Sequence, residues 1–247
     1  MTPIPASPGL PADWQAVLTD RGLGPSAIRN LVEDAYDEAD KHAVYPPRSS
    51  VFRAFELTKL CEVRAVILGQ DPYYAHAGQA HGLAFSVPEM DASVPKSVRV
   101  PPALDAIFAN LETDRDIPFA RPNAGGLPVG DLTNWAKQGV LLLNTSLTVQ
   151  AGVPASHLAR WAPLTSAVID ALCEQPRAIA FTLWGGPAKT YRRDIRTPHR
   201  ARPMLHPAYR PERGEKHVWR SGLQLPFSEV NEFLTQHNRV PVIWEDL

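Results

Sequence analysis

The sequence predicts a single α/β domain, residues 1–247, with a central four-stranded parallel sheet flanked by helices. Apolar runs near 64–68, 139–143 and 178–184, with a shorter one near 202–205, have the length and composition of buried strands. Helical segments separate these runs, and strands that alternate with helices favour a parallel sheet. With 247 residues, of which 44% are hydrophobic, the chain can bury one core and is short for two domains.

Helices are predicted by proline placement and by apolar periodicity. Pro101 and Pro102 suit the first turn of a helix, and from Leu104 apolar residues recur at i, i+3, i+4 and i+7. Further helices are predicted near 11–20, 25–40, 161–174, 187–194 and 226–237. Residues 1–10 are rich in proline, and we expect them to be loosely held.

Charge is distributed unevenly along the chain, although the formal net charge is only −1. Residues 186–220 contain ten basic and three acidic residues, a net charge of +7, whereas residues 1–62 have a net charge of −3. A solvated surface is compatible with such a basic cluster. Its position around the His-Pro sequence at 206–207 favours contact with phosphate groups.

The composition argues against several classes of protein. The chain has no apolar run long enough to span a bilayer, and residues 1–10 lack the layout of a signal peptide, so we expect a cytoplasmic protein with no membrane partner. Cys61 and Cys173 lack metal-ligand spacing and are expected to be reduced thiols in the core. Two cysteines exclude a four-cysteine iron–sulfur cluster. The segment GGPAKT at 185–190 lacks the glycine spacing of a P-loop, and we expect neither a metal nor a cofactor.

The segment after the first predicted strand has the features of a ligand site. The apolar run stops at Gly69 and is followed by QDPYY at 70–74, with Phe85 further along. In open α/β sheets, ligands bind where the strands end at their carboxyl edge. An aspartate beside aromatic rings at that edge suits a pocket for a flat polar ring, although Asp-Pro and Gly also mark ordinary turns.

Several segments carry a resemblance to a known family. They read GQDPYY at 69–74, GQAHGLAFSVP at 78–88, GVLLLNTSLTV at 139–149, FTLWGGPAK at 181–189 and MLHPAYRPERG at 204–214. Together they resemble the family 1 uracil-DNA glycosylases, the DNA-repair enzymes that remove uracil from DNA. The resemblance runs in order from about residue 43 to the C-terminus.

The resemblance implies the fold of that family and a monofunctional glycosylase that needs no cofactor. Such an enzyme flips uracil out of single- or double-stranded DNA and hydrolyses the N-glycosidic bond, leaving an abasic site. We expect it to act as a monomer on DNA in the nucleoid. Two other functions remain open: a lesion-binding protein with low turnover, and an excision enzyme for another damaged base.

The family's catalytic residues match two positions. Asp71 matches the acidic residue that stabilises the cation-like sugar and positions the attacking water. His206 matches the histidine that donates a hydrogen bond to uracil O2 and stabilises the leaving anion. Asn144 follows the second buried run, and its amide offers a donor and an acceptor that complement uracil O4 and N3–H but not cytosine.

Three further residues match the family's uracil pocket. Phe85 matches the ring that stacks on the base, and Tyr73 matches the ring that fills the space needed by a thymine methyl group. Gln70 is expected to present hydrogen-bond donors to the base. The residues expected to meet DNA are Pro101, Pro102, Gly185, Gly186, Lys189, Ala208, Arg210 and Arg213.

The chain departs from the family's pattern where the family contacts the DNA backbone. Serines that grip phosphates in the family are matched by Ala103, Gly186 and Ala208. The leucine that the family wedges into the base stack is matched by Arg210, and the histidine of GQDPYH is Tyr74. Because the phage-encoded protein inhibitor of this family takes up the wedge leucine in an apolar pocket, Arg210 predicts that this inhibitor binds weakly.

Overall fold

The architecture is that of a computed structural model, which describes residues 9–37, 42–91, 93–121, 123–124, 127–212 and 217–247. Its helices are α1 (Ala12–Thr19), α2 (Pro25–Tyr36), α3 (Arg53–Leu57), α4 (Lys96–Arg99), α5 (Pro102–Thr113), α6 (Thr133–Lys137), α7 (Leu158–Cys173), α8 (Gly186–Thr190) and α9 (Pro226–Gln236). Its strands are β1 (Val44–Tyr45), β2 (Ala65–Gly69), β3 (Asn123–Ala124), β4 (Leu127–Pro128), β5 (Val140–Asn144), β6 (Val149–Gln150), β7 (Ala180–Trp184) and β8 (Arg200–Met204).

A four-stranded parallel sheet in the order β5-β2-β7-β8 forms the centre, which confirms the predicted fold class. Strands β2, β5 and β7 are buried along their whole length because helices cover both faces, whereas the edge strand β8 is half-buried. The register pairs Gly69 with Asn144 and Trp184 with Met204. The four strands therefore end at one edge, and the loops that follow them lie side by side there.

Aromatic side chains fill the core beneath that edge. Trp184 packs edge-to-face on Trp219 at 4.6 Å between ring centroids and contacts Phe227, which begins α9 together with Pro226. Trp244 packs on Phe227 at 5.0 Å, so the C-terminal segment is anchored to the same cluster. Helices α1 and α2 pack against α7.

Some boundaries differ from the prediction. Helix α2 ends at Tyr36, and residues 38–41, like residues 1–8, lie outside the described ranges. The helix predicted near 187–194 consists of α8 and a 3₁₀ turn, Tyr191–Arg193. The strand β8 starts at Arg200, before the apolar run, because an edge strand needs only one buried face. The short helices α3, α4 and α6 and the two-stranded pairs β1–β6 and β3–β4 were not predicted.

The cysteine prediction was wrong for one thiol. Cys61 is exposed and Cys173 is half-buried, and both are free. Cys61 lies in a 3₁₀ turn, Leu60–Glu62, in which Leu60 is the residue that reaches the core. Within the described ranges, no helix is both long and apolar enough to cross a membrane, and no three His, Cys, Asp or Glu side chains are grouped to hold a metal ion.

Candidate active site

A cavity of about 580 Å³ opens at the carboxyl edge of the sheet, between the loops that follow β2 and β8 and the start of α5. Among the residues that line it are ten that the sequence analysis had named: Gln70, Asp71, Tyr73, Tyr74, Phe85, Pro101, Pro102, Ala103, His206 and Ala208. The cavity is larger than a single six-membered aromatic ring requires.

Asp71 lies in the loop directly after β2, and its two carboxylate oxygens have different surroundings. Oδ2 accepts hydrogen bonds from the Gln70 side-chain amide (2.7 Å) and from the backbone N–H of Ala155 (2.8 Å). Oδ1 is buried and has no hydrogen-bond partner among the described residues. Burial raises the pKa of Asp71, while the two hydrogen bonds and the nearby His157 favour the ionised form. Oδ2 is thus anchored, whereas Oδ1 keeps unused capacity to accept a hydrogen bond.

The imidazole of His206 lies two residues beyond β8. Its Nδ1 accepts a hydrogen bond from the backbone N–H of Ala208 at 3.1 Å, so the neutral ring carries its proton on Nε2. Burial lowers the pKa of His206 below its ordinary value. The indole of Trp219 donates to the carbonyl of Leu205 at 2.9 Å and fixes the backbone that precedes the ring. His206 is therefore a neutral donor at neutral pH, with its Nε2–H free of the Ala208 contact.

Two aromatic rings lie beside these polar groups. The ring of Phe85 is buried, with its centroid 5.0 Å from that of Trp184 and 5.7 Å from that of His206. The hydroxyl of Tyr73 donates to the Phe85 carbonyl at 3.0 Å, and burial raises the pKa of this phenol. Both rings are thus held rigidly in the lining of the cavity.

Asn144 is the one predicted pocket residue that does not line the large cavity itself. It ends β5 beside Gly69 and lines a small adjoining cavity of about 10 Å³. A Cβ atom on Gly69 would lie 2.5 Å from Asn144 Oδ1 and 2.9 Å from Phe85 Cε2. The absence of a side chain at Gly69 is therefore what lets the amide and the aromatic ring approach each other across the end of β2.

The amino-acid sequence matches the model of the uracil DNA glycosylase superfamily over residues 55–234. The chain belongs to this superfamily. Proteins named uracil-DNA glycosylase from Deinococcus deserti and Acinetobacter baumannii are each 39% identical over 240 residues, which cover 96% of this chain and 88% and 92% of the relatives. A relative of the same name from Campylobacter concisus is 39% identical over 234 residues, or 94% of this chain and 92% of that protein.

Solved structures of the superfamily share the fold. Mimivirus uracil-DNA glycosylase superposes with a TM-score of 0.73 at 22% identity, covering 94% of this chain and 86% of that one. A variant of the mimivirus protein in complex with UGI gives a TM-score of 0.76 at 22% identity, with 94% and 88% covered. The corresponding protein of Nitratifractor salsuginis gives 0.57 at 19% identity, with 95% and 94% covered.

Of the residues expected to meet DNA, Pro101, Pro102 and Ala208 line the cavity, and Gly185 lies beside His206. Gly185 has φ +100°, a conformation in which a residue with a side chain is strained, and a Cβ there would lie in van der Waals contact with the imidazole, 3.4 Å from His206 Cδ2. Gly186 is exposed and Lys189 is half-buried on α8. Arg210 is exposed beyond Ala208, and Arg213 lies outside the described residues.

Some arginines of the basic segment, residues 186–220, form ion pairs within the protein. Arg200 and Arg202 on β8 both contact the carboxylate of Glu229 on α9, the latter at 2.9 Å from Nη2 to Oε1. Arg220 pairs with Asp105 on α5. The positive charge available to a DNA backbone is therefore smaller than the sequence count implies.

Several residues of this superfamily member's site were missed by the sequence analysis. His76 and Ser97 line the cavity, and Ala155 supplies the backbone N–H that anchors Asp71. Ala155 adopts φ +63°, a conformation that no alanine predicts from sequence. His76 and Ser97 lie in loop and short-helix segments without a recognisable pattern, whereas Gly69 was visible as the glycine that stops the first apolar run.

Proposed function

We propose that the chain is a monofunctional uracil-DNA glycosylase of family 1, which flips uracil out of DNA and hydrolyses its N-glycosidic bond. The observation that carries this proposal is the pairing, in one cavity, of the Asp71 carboxylate with a neutral His206 imidazole that keeps its proton on Nε2. Relatives that carry the name uracil-DNA glycosylase at 39% identity over almost the whole chain support it.

Cleavage of the bond from uracil N1 to deoxyribose develops positive charge on the sugar. A carboxylate close to that charge stabilises it and orients the water that attacks C1′. Asp71 suits this role because its Oδ2 is anchored by Gln70 and Ala155, while Oδ1 has no other partner among the described residues. The negative charge of Asp71 is therefore held in position before the reaction starts.

Negative charge develops on the departing uracil at the same time. The Nε2–H of His206 is the donor suited to stabilise it at O2, because Nδ1 is already occupied by the Ala208 N–H. A neutral donor has an advantage over an imidazolium here, since it can be buried without a counter-ion and needs no proton transfer to act. No step requires a metal or a cofactor.

Base recognition is assigned to the aromatic and amide groups around these two residues. Phe85 offers a ring face for stacking, and Tyr73 occupies the space that a thymine methyl group needs. Asn144 supplies a donor and an acceptor to uracil O4 and N3–H once the base enters beyond Gly69. The Gln70 amide is engaged by Asp71, so its contribution to the base is through the backbone.

DNA is proposed to contact Pro101, Pro102, Ala208, Gly185, Gly186, Lys189 and Arg210. Arg213, which lies outside the described residues, is proposed as a further contact from the sequence alone. The first three line the cavity mouth, and the exposed Gly186 allows close approach of a phosphate to the start of α8. Lys189 and Arg210 are proposed to supply positive charge to the phosphates. A monomeric state and a cytoplasmic location remain proposals, which size-exclusion chromatography and cell fractionation would test.

The alternative function is a lesion-binding protein that holds uracil or abasic DNA and turns over poorly. Alanine and glycine at three positions where the family has phosphate-gripping serines favour it. Multiple-turnover kinetics separate the two. A glycosylase releases many uracil molecules per protein from excess uracil-containing oligonucleotide, whereas a lesion-binding protein releases at most one.

We predict that Gly69→Ala disables the pocket. The added Cβ would overlap Asn144 Oδ1 and Phe85 Cε2, and relief of that overlap displaces both groups that select the base. The expected result is a loss of more than tenfold in kcat/KM for uracil release and a destabilisation of roughly 1–3 kcal/mol. Gly24→Ala is the matched control, because a Cβ there meets nothing within 4 Å. Equal activity of the two variants would contradict the assigned role of Gly69.

Arg210 is predicted to bind the abasic product. Its exposed guanidinium can stack on bases in the gap left by the flipped nucleotide, and it adds a cation near phosphates. Arg210→Ala should weaken binding to abasic DNA and reduce the slope of log K against log salt by up to about one unit. Arg210→Leu should keep the apolar contact and lose only the charge. A salt slope that does not change in either variant would remove the phosphate role.

The same residue predicts weak binding of the phage-type protein inhibitor. Insertion of an arginine into an apolar pocket without a partner costs several kcal/mol, on the order of the cost of a buried unpaired charge. Titration of uracil release with the inhibitor should therefore give weak inhibition of the wild-type chain and stronger inhibition of Arg210→Leu. Stoichiometric inhibition of the wild type at nanomolar protein would show this prediction to be wrong.

A further inference from the structure

The backbone of Phe85 has an unusual conformation for an aromatic residue. Its φ is +63°, in the left-handed region, where a bulky side chain is strained unless its surroundings hold it. The ring is the proposed stacking surface for the base, 5.7 Å from His206. Hydrogen bonds hold the backbone on both sides of this φ angle. The N–H of Ala84 donates to the Leu142 carbonyl at 3.0 Å, and the Tyr73 hydroxyl donates to the Phe85 carbonyl at 3.0 Å.

The next residue, Ser86, is the third and most buried anchor. Its side chain is fully buried, and its Oγ accepts the backbone N–H of Leu132 at 2.8 Å and lies 2.7 Å from His81 Nε2. The carbonyl of Gly130 accepts the backbone N–H of Val87 at 3.0 Å. The chain immediately after Phe85 is therefore tied to the segment that leads into α6, away from the cavity.

His81 begins the turn formed by residues 81–86 and has no role in the reaction proposed above. It is 6% exposed, and burial lowers its pKa to about 4 despite Asp131, so the ring is neutral at physiological pH. Its Nε2 contacts Ser86 Oγ, and neither side chain lines the active-site cavity. Gly82, directly after it, has φ +90°, and a Cβ there would lie 2.0 Å from the Ser50 carbonyl oxygen. The turn 81–86 is therefore locked at both ends.

We propose that His81 and Ser86 are positioning residues that hold the Phe85 ring in its stacking position, so that their hydrogen bond sets the affinity of the pocket for the uracil base. This inference rests on the proposed function. The physical reason is that the left-handed backbone at Phe85 relaxes when the hydroxyl at Ser86 is lost, because Leu132 N–H and His81 Nε2 both lose their buried partner. The ring then moves away from the base.

The test compares binding of the free base with binding of DNA that has no base. Ser86→Ala should raise the inhibition constant of free uracil by about tenfold or more, the effect of an unpaired buried group. Its dissociation constant for abasic DNA should not change, because that ligand does not use Phe85. Thr182→Val is the control: Thr182 is also buried, and its Oγ1 donates to the Val66 carbonyl, a contact that involves no residue of the turn. It should leave both constants unchanged.

Two further comparisons separate positioning from general loss of structure. In a Phe85→Ala background, Ser86→Ala should have no additional effect on uracil binding, since the residue that it positions is gone. His81→Gln, whose amide can still form a hydrogen bond with Ser86 Oγ, should keep most of the uracil affinity that His81→Leu loses. The two His81 variants carry the same test if Ser86→Ala does not fold.

The proposal is overturned if Ser86→Ala weakens abasic-DNA binding as much as uracil binding, if its effect adds fully to that of Phe85→Ala, or if His81→Gln and His81→Leu behave alike. These outcomes are distinct from failure of the proposed function. A wild-type chain that neither releases uracil from DNA nor is inhibited by free uracil would contradict the glycosylase itself.

Discussion

Asp71→Asn should lower the rate of uracil excision by at least about a hundredfold, the effect of removing one preorganised electrostatic stabiliser. The asparagine oxygen can still accept hydrogen bonds from Gln70 and Ala155, so the loop keeps its shape and the charge alone is removed. Binding to uracil-containing DNA should therefore persist. Single-turnover kinetics together with a binding titration measure the two quantities separately, and near wild-type cleavage would show that Asp71 has another role.

The same substitution should stabilise the fold at neutral pH. Burial raises the pKa of Asp71 in the folded state, so the folded chain binds this proton more tightly than the unfolded chain does. The contribution of the Asp71 carboxyl to the free energy of unfolding falls as pH rises from its ordinary pKa of 3.8 through its pKa in the folded state. At pH 7 the group is ionised, and the full cost of burying its charge remains. We expect a higher melting temperature for Asp71→Asn at pH 7 and no gain at pH 3. A lower melting temperature at pH 7 would contradict this sign.

His206→Ala should also lower excision by at least about a hundredfold, because the donor that meets the leaving uracil anion is lost. His206→Gln is the matched variant, since its Nε2 amide can donate from a similar position, and it should lose less activity than His206→Ala. Both should still bind abasic DNA. Equal rates for the alanine variant and the wild type would exclude His206 from the reaction.

The pH dependence of excision follows from the two perturbed groups. Because burial lowers the pKa of His206 below its ordinary 6.5, the neutral ring persists at pH 6.5 and 7. Because burial raises the pKa of Asp71, the acid loss of activity should begin above the ordinary aspartate range. In His206→Gln, the pH profile of kcat/KM should show only the loss of activity that protonation of Asp71 causes.

Much of the fold and the centre of the site could be predicted because they depend on local sequence patterns. The apolar runs that became β2, β5 and β7 are continuous since these strands are buried on both faces. Asp71 and His206 lie just beyond two strand ends, and parallel strands bring those ends together whatever the intervening chain does. The roles of Asp71 and His206 were predicted from the family resemblance, and the parallel sheet explains why the two residues line one cavity.

The parts that could not be predicted depend on contacts between distant segments. The anchor of Asp71 is the backbone N–H of Ala155, 84 residues away, and any residue type can supply a backbone donor. Asn144 was expected in the pocket, but its position against Phe85 is set by the lack of a side chain at Gly69. The neutralisation of Arg220 by Asp105 likewise requires the fold, so the sequence count overestimated the charge facing DNA.

The identity of the base that the wild-type chain releases tests the central proposal most directly. Three oligonucleotides that differ only in one position, uracil, thymine or cytosine, would each be incubated in large excess over the protein, and free bases would be quantified by chromatography. We predict complete release of uracil, a matching number of abasic sites, and no release of thymine or cytosine. Tight binding of the uracil oligonucleotide without release of any base would contradict the assignment of a glycosylase and favour a lesion-binding protein.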